Sequence, residues 1–148
     1  MKRWLGASSF EVPPSPFAEF PGYATAEIAF ESLAAPNSHG SVPPSPGSDI
    51  RVVLVSADPG LTLFDGLTAV PIGGEVTLGP PFFHYLPVWS IEAGPLGGVY
   101  DVTLIARDAN GVHADSLPFE ISFTAVPAPG AAALGAAGLA AACRRRRR

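Results

Sequence analysis

Cysteine is nearly absent from this chain of 148 residues: Cys143 stands alone, so no disulfide can form within it. Charge is also scarce, at 15 % of residues. The basic residues are fewer still and unevenly placed. Nine exist, and five of them are Arg144, Arg145, Arg146, Arg147 and Arg148. Without that run, four bases face thirteen acids, a net charge of −9. Such a body disfavours nucleic acid, because phosphate binding needs clustered cations. It contains no G-x-S-x-G, no phosphate loop and no catalytic cysteine constellation, so nothing in it points to an enzyme. Proline, by contrast, is abundant and scattered, with 17 residues, and this excludes a helical bundle. The 47 % hydrophobic content is too high for a wholly disordered chain.

What remains is a pattern of short strands and turns. Residues 25–33 alternate, with Ala26, Ile28 and Phe30 on one face and Glu27 and Glu31 on the other. Residues 50–56 (IRVVLVS) are β-branched and apolar, as in a buried strand. Shorter strands are expected at 61–64, 75–78 and 88–92, each bounded by Gly or Pro. Along 98–107, Tyr100, Val102, Leu104 and Ala106 form an apolar set that should face the core. Asn110-Gly111 then signals a tight hairpin turn, and 117–125 returns with Phe119, Ile121 and Phe123 on one face. This spacing predicts an all-β fold, a small antiparallel β-sandwich of the immunoglobulin-like kind, over residues 23–125. Residues 1–22 read as an irregular, Pro-rich segment. The pentapeptide VPPSP occurs twice, at 12–16 and 42–46. It reads either as loop or as a polyproline ligand.

Candidate chemistry in the body is thin. His84, His113 and Asp115 are the residues from which a zinc site could be built, but no H-x-H or H-x₃-H spacing supports one. The alternative leaves His84 at a strand edge and His113 beside the turn. Asp108, Asn110 and Asp115 match a fragment of a calcium loop, and a hairpin turn explains the same residues. Phe82, Tyr85 and Trp89 would form either a sugar platform or part of the core.

The last 23 residues, 126–148, are of a different kind. Val126, Pro127, Ala128 and Pro129 break the last strand. Residues 130–143 are uncharged and helix-capable, with eight alanines and two leucines. The five arginines follow. Fourteen helical residues span about 21 Å, short of a hydrocarbon core of about 30 Å. The segment is therefore marginal as a permanent anchor and adequate for a transient stay in the membrane. The arginines would stay on the cytoplasmic side.

This ordered triple of Pro-x-Pro break, apolar helix and arginine cluster resembles the PEP-CTERM protein-sorting signal of Gram-negative and related bacteria. Ala128 stands where that signal usually has Glu. The resemblance implies an exported protein, recognised and cut near Pro-x-Pro by an exosortase, a membrane-embedded cysteine transpeptidase. The body would then reach the cell surface or the extracellular polysaccharide matrix, with no catalytic role and no cofactor of its own. Residues 98–130 are similar to the closing hairpin of small β-domains in some such proteins, including a group associated with zinc-regulated expression. Export also needs a leader. Residues 4–10 are too short and too weakly apolar to serve as one, so an in-frame leader is expected upstream of Met1. The competing expectations are a tail-anchored membrane protein, and a metal- or carbohydrate-binding surface module.

Overall fold

Side-chain alternation along residues 100–106 sets the central strand of the largest sheet. The computed structural model describes residues 9–38, 42–92 and 94–127. Among these there is no helix, and eleven strands follow one another. They are β1 (Ser9–Val12), β2 (Tyr23–Thr25), β3 (Phe30–Glu31), β4 (Ile50–Ala57), β5 (Leu61–Asp65), β6 (Thr68–Ala69), β7 (Glu75–Gly79), β8 (His84–Tyr85), β9 (Val88–Ile91), β10 (Val99–Asp108) and β11 (Phe119–Ala125). The protein is all-β. One sheet has the order β1-β11-β10-β4-β7, a second β2-β9-β5-β6, and β3 and β8 make a separate pair. Pairing is antiparallel except between β1 and β11, which run parallel, so the larger sheet is mixed.

Both sheets contribute to a single hydrophobic core. Val52, Leu54, Val76, Val102, Leu104, Ile121 and Phe123 come from the larger sheet, and Leu61, Leu63, Trp89 and Ile91 from the smaller. The rings of Trp89 and Phe123 meet across it, with centroids 4.7 Å apart and planes tilted by 35°. Such an aromatic pair adds about 0.5–1.5 kcal/mol beyond the area it buries. Trp89 is 0 % exposed, and its indole N–H has no hydrogen-bond acceptor among the described residues. Val102, Leu104 and Ala106 are buried and Tyr100 is half-buried, so this set faces the core as its alternation predicts.

The outer face of the larger sheet is held by ion pairs. Arg51 on β4 binds Asp49 at 2.9 Å and also binds Glu75 on β7. Arg107 on β10 lies 3.8 Å from Glu75 and 3.4 Å from Asp115. Each pair is partly open to water, so its contribution to stability is small.

Three expectations need correction. The stretch 1–22 is not irregular throughout: Ser9–Val12 is a strand in register with Ser122–Ala125. Its four residues precede a proline run, and its partner lies over a hundred residues away, so nothing local announces it. The expected strand at 25–33 is split. Tyr23–Thr25 pairs with β9, whereas Phe30–Glu31 pairs with β8, and the intervening residues belong to neither. Finally, Asn110-Gly111 does not close a tight two-residue hairpin. Asp108 O accepts the Gly111 N–H at 3.0 Å, with Gly111 at φ +70°, but the β10–β11 ladder ends at Leu104 and Phe119. Beyond that point β10 pairs only with β4. The returning chain is bound by Ser116, whose N–H reaches Ala106 O at 2.8 Å and whose hydroxyl accepts the Ala106 N–H at 2.9 Å.

Candidate functional site

The densest polar cluster in the described residues lies where β10 ends and β4 begins. Asp108 is the last residue of β10 and is buried. Its Oδ1 accepts the backbone N–H of Asp49 at 2.9 Å and of Asn110 at 3.0 Å. Its Oδ2 accepts the N–H of His113 at 3.0 Å. Burial pushes the Asp108 carboxyl up, but the three N–H bonds, with a smaller contribution from His113, outweigh it and hold the group below its ordinary value. Around this hub the loop before β4 is tied to the loop after β10. Ala109 N–H donates to Asp49 O at 2.8 Å, and Asn110 Nδ2 donates to Gly47 O at 2.8 Å. Ser45 N–H donates to His113 Nε2 at 2.9 Å.

This geometry settles what Asp108 and Asn110 can do. A calcium ion needs six or more oxygens turned toward it. The Asp108 oxygens are turned toward N–H groups instead, which would repel a cation. Asp115 is engaged with Arg107 at 3.4 Å. The three zinc candidates have separate partners. His113 Nε2 is taken by the Ser45 N–H, Asp115 by Arg107, and His84 Nδ1 stands 4.0 Å from Glu31 Oε2 across the β3–β8 pair. No group of three or more His, Cys, Asp or Glu is placed to hold a metal ion among the described residues. His39 lies outside them.

The second locale is the β3–β8 pair. Here Phe82 is 70 % exposed, while Trp89 is wholly buried. The Tyr85 hydroxyl donates to Asp65 Oδ1. Burial, and then this bond, push the Tyr85 phenol above its usual value. Of the three aromatics read as a possible sugar platform, Trp89 belongs to the core, Tyr85 is half-buried and tied to Asp65, and only Phe82 presents a free face.

Of the four residues 126–129 that the sequence suggests as a sorting motif, Val126 donates its N–H to Val12 O at 3.0 Å, and Pro127 is exposed. Ala128, Pro129, the apolar segment and Arg144, Arg145, Arg146, Arg147 and Arg148 lie outside the described residues. Among the described residues no helix is long and apolar enough to cross a membrane. The Asp108 hub is what sequence reasoning missed. Its signal was present, because an Asp two residues before an Asn-Gly pair is disposed to cap its own turn. The bonds to Asp49 and Ser45 had no such signal. Compared with known protein families, curated proteins and solved structures, the chain has no match.

Proposed function

We propose that this is an exported, non-enzymatic surface or extracellular-matrix protein whose residues 126–148 are a sorting signal of the PEP-CTERM type. The observation that carries the reading is where the domain stops. Ala125 is fully buried and ends β11, and Val126-Pro127 follows at once. Among the described residues, a cut beyond Val126 would remove none of the buried core and would keep the Val126–Val12 bond. The partner is an exosortase-like membrane transpeptidase, the membrane contact is transient, and the destination is the cell surface or its polysaccharide.

The domain itself we read as an immunoglobulin-like sandwich. The run β11-β10-β4-β7 follows the G-F-C-C′ order of such domains, and β2-β9 follows B-E. Tyr100, near the start of the strand equivalent to F, lies against Gly94 and Gly98, where the tyrosine corner of that fold sits. A Cβ on Gly94 would meet the Tyr100 hydroxyl at 1.6 Å, so this approach requires glycine. The departures are that β5 and β6 precede β7 in the chain, and that no cysteine pair joins the sheets.

The test is the intact mass of the mature protein from its native host, recorded with its cell fraction. A mass lacking the segment beyond Val126, outside the inner membrane, is expected. A full-length mass in the membrane would mean a tail anchor, and a full-length mass in the cytosol would end the sorting reading. A carbohydrate-binding role rests on Phe82 alone. It predicts that Phe82→Ala abolishes binding to the host's polysaccharide while moving stability by no more than about 0.5 kcal/mol.

A further inference from the structure

We infer that His113 is a pH-sensitive latch, which holds residues 42–46 against the end of β10 when neutral and releases them when protonated. The argument begins with hydrogen-bond supply. Within 42–46 (VPPSP), prolines at 43, 44 and 46 have no N–H to offer. Ser45 is the residue whose N–H reaches across to another element, and it donates to His113 Nε2 at 2.9 Å. A backbone N–H can only donate, so Nε2 must carry a lone pair and the ring proton must sit on Nδ1. Protonation puts a hydrogen on Nε2, and two donors then face each other.

The neighbouring ties do not titrate in the same range. Ala109 N–H to Asp49 O and Asn110 Nδ2 to Gly47 O join uncharged groups. Asp108 holds the His113 backbone through Oδ2, a bond that does not involve the ring, so the main chain stays anchored when the ring loses its own. The charged groups around the ring are accounted for. Asp108, on β10, contacts His113 directly. Asp49 turns its carboxylate to Arg51, and Asp115 pairs with Arg107. Residues 42–48 carry no charged side chain that could compensate. Ser45 O accepts the Ser48 N–H at 3.2 Å and the Ser48 hydroxyl at 2.8 Å, so this local turn persists and what protonation frees is the cross-link between residues 42–46 and the end of β10. Among ordinary side chains, the imidazole is the one whose charge changes between about pH 5 and about pH 8. The latch does not depend on the tail's being a sorting signal.

Amide hydrogen exchange of the full chain, expressed as protection factors at pH 7.5 and pH 5.5, tests this. Ser45 should lose roughly tenfold in protection at the lower pH, the scale of one lost hydrogen bond. Ala109 and Leu104 should keep theirs. His113→Gln offers an acceptor that cannot titrate, so Ser45 should stay protected at both values. His113→Ala should leave it unprotected at both. The latch is overturned if Ser45 protection is equal at the two pH values in the unmodified protein. Persistence of the change in His113→Gln would overturn it too, as would a parallel loss at Leu104, which signals global unfolding.

Discussion

The same five residues, VPPSP, occur twice in this protein and do two different jobs. At 12–16 the pentapeptide carries the chain from the larger sheet to the smaller. Val12 is 0 % exposed in the core, its carbonyl accepts the Val126 N–H, and Pro13 O accepts the Ala24 N–H at 3.1 Å. Ser15 N–H then reaches Gly22 O at 2.8 Å. At 42–46 the first residue, Val42, is 43 % exposed, and Ser45 N–H bonds His113 Nε2 across to the end of β10. One copy is held by backbone bonds and the burial of Val12, whereas the other, half-buried at Pro43, Pro44 and Ser45 and turned back on Ser48, adds a bond to a titratable side chain. Identical local sequence therefore fixes the stiffness of a segment but not how it is attached.

The sharpest way to break the comparison is to make one substitution at both copies. Val12→Asp places an unpaired carboxylate in the core and should cost several kcal/mol, about 3 or more, enough to unfold a marginal domain. Val42→Asp should stay within about 0.5 kcal/mol. Urea unfolding of the two variants checks both, and equal losses would dissolve the distinction.

The next effect concerns the hub on which the second copy depends. Asp108→Asn keeps one acceptor oxygen but turns an amide NH₂ toward backbone N–H groups, so the melting temperature at pH 7 should fall. The pH profile supplies the sign. Because the Asp108 carboxyl is held below its ordinary value, its stabilisation is complete above the unfolded value of about 3.9 and is lost as pH falls through the lower native one. The unmodified protein should therefore lose stability as the pH falls below about 4, and the variant should lose less. Identical acid profiles would remove Asp108 from this role.

A smaller effect sharpens the contrast within the first copy. Ser15→Ala removes the hydroxyl that accepts the Phe17 N–H at 3.1 Å and donates to Phe17 O at 3.0 Å. Both bonds are exposed. The loss should be below about 1 kcal/mol by calorimetry, since Val12 and the backbone bonds still hold the segment.

Much of the sheet framework was legible because its signals are local. Residues 50–56, 61–64, 75–78, 88–92, 98–107 and 117–125 each coincide with a strand to within two residues at either end. β-branched and alternating side chains at those positions suit only a pleated surface. Ser9–Val12 was hidden, because a parallel pairing with Ser122–Ala125 leaves no mark in four residues beside a proline run. Among the candidate site residues, Trp89 read as core ahead of platform, because Trp buries a large area, and it packs against Phe123 in the core. His113 read as a residue beside a turn. The bond that gives it a role comes from Ser45, 68 positions away.

By itself, then, the sequence determined the all-β class, the positions of most strands and the inward face of β10, because alternation, β-branching and proline act on neighbouring residues. Only the tertiary structure decided that Asp108 is ringed by N–H groups, that one VPPSP anchors its valine in the core, and that the other meets His113. Those outcomes depend on which distant segments lie side by side, and a hydrogen bond or a buried contact forms only between groups that the fold has already brought within a few ångströms.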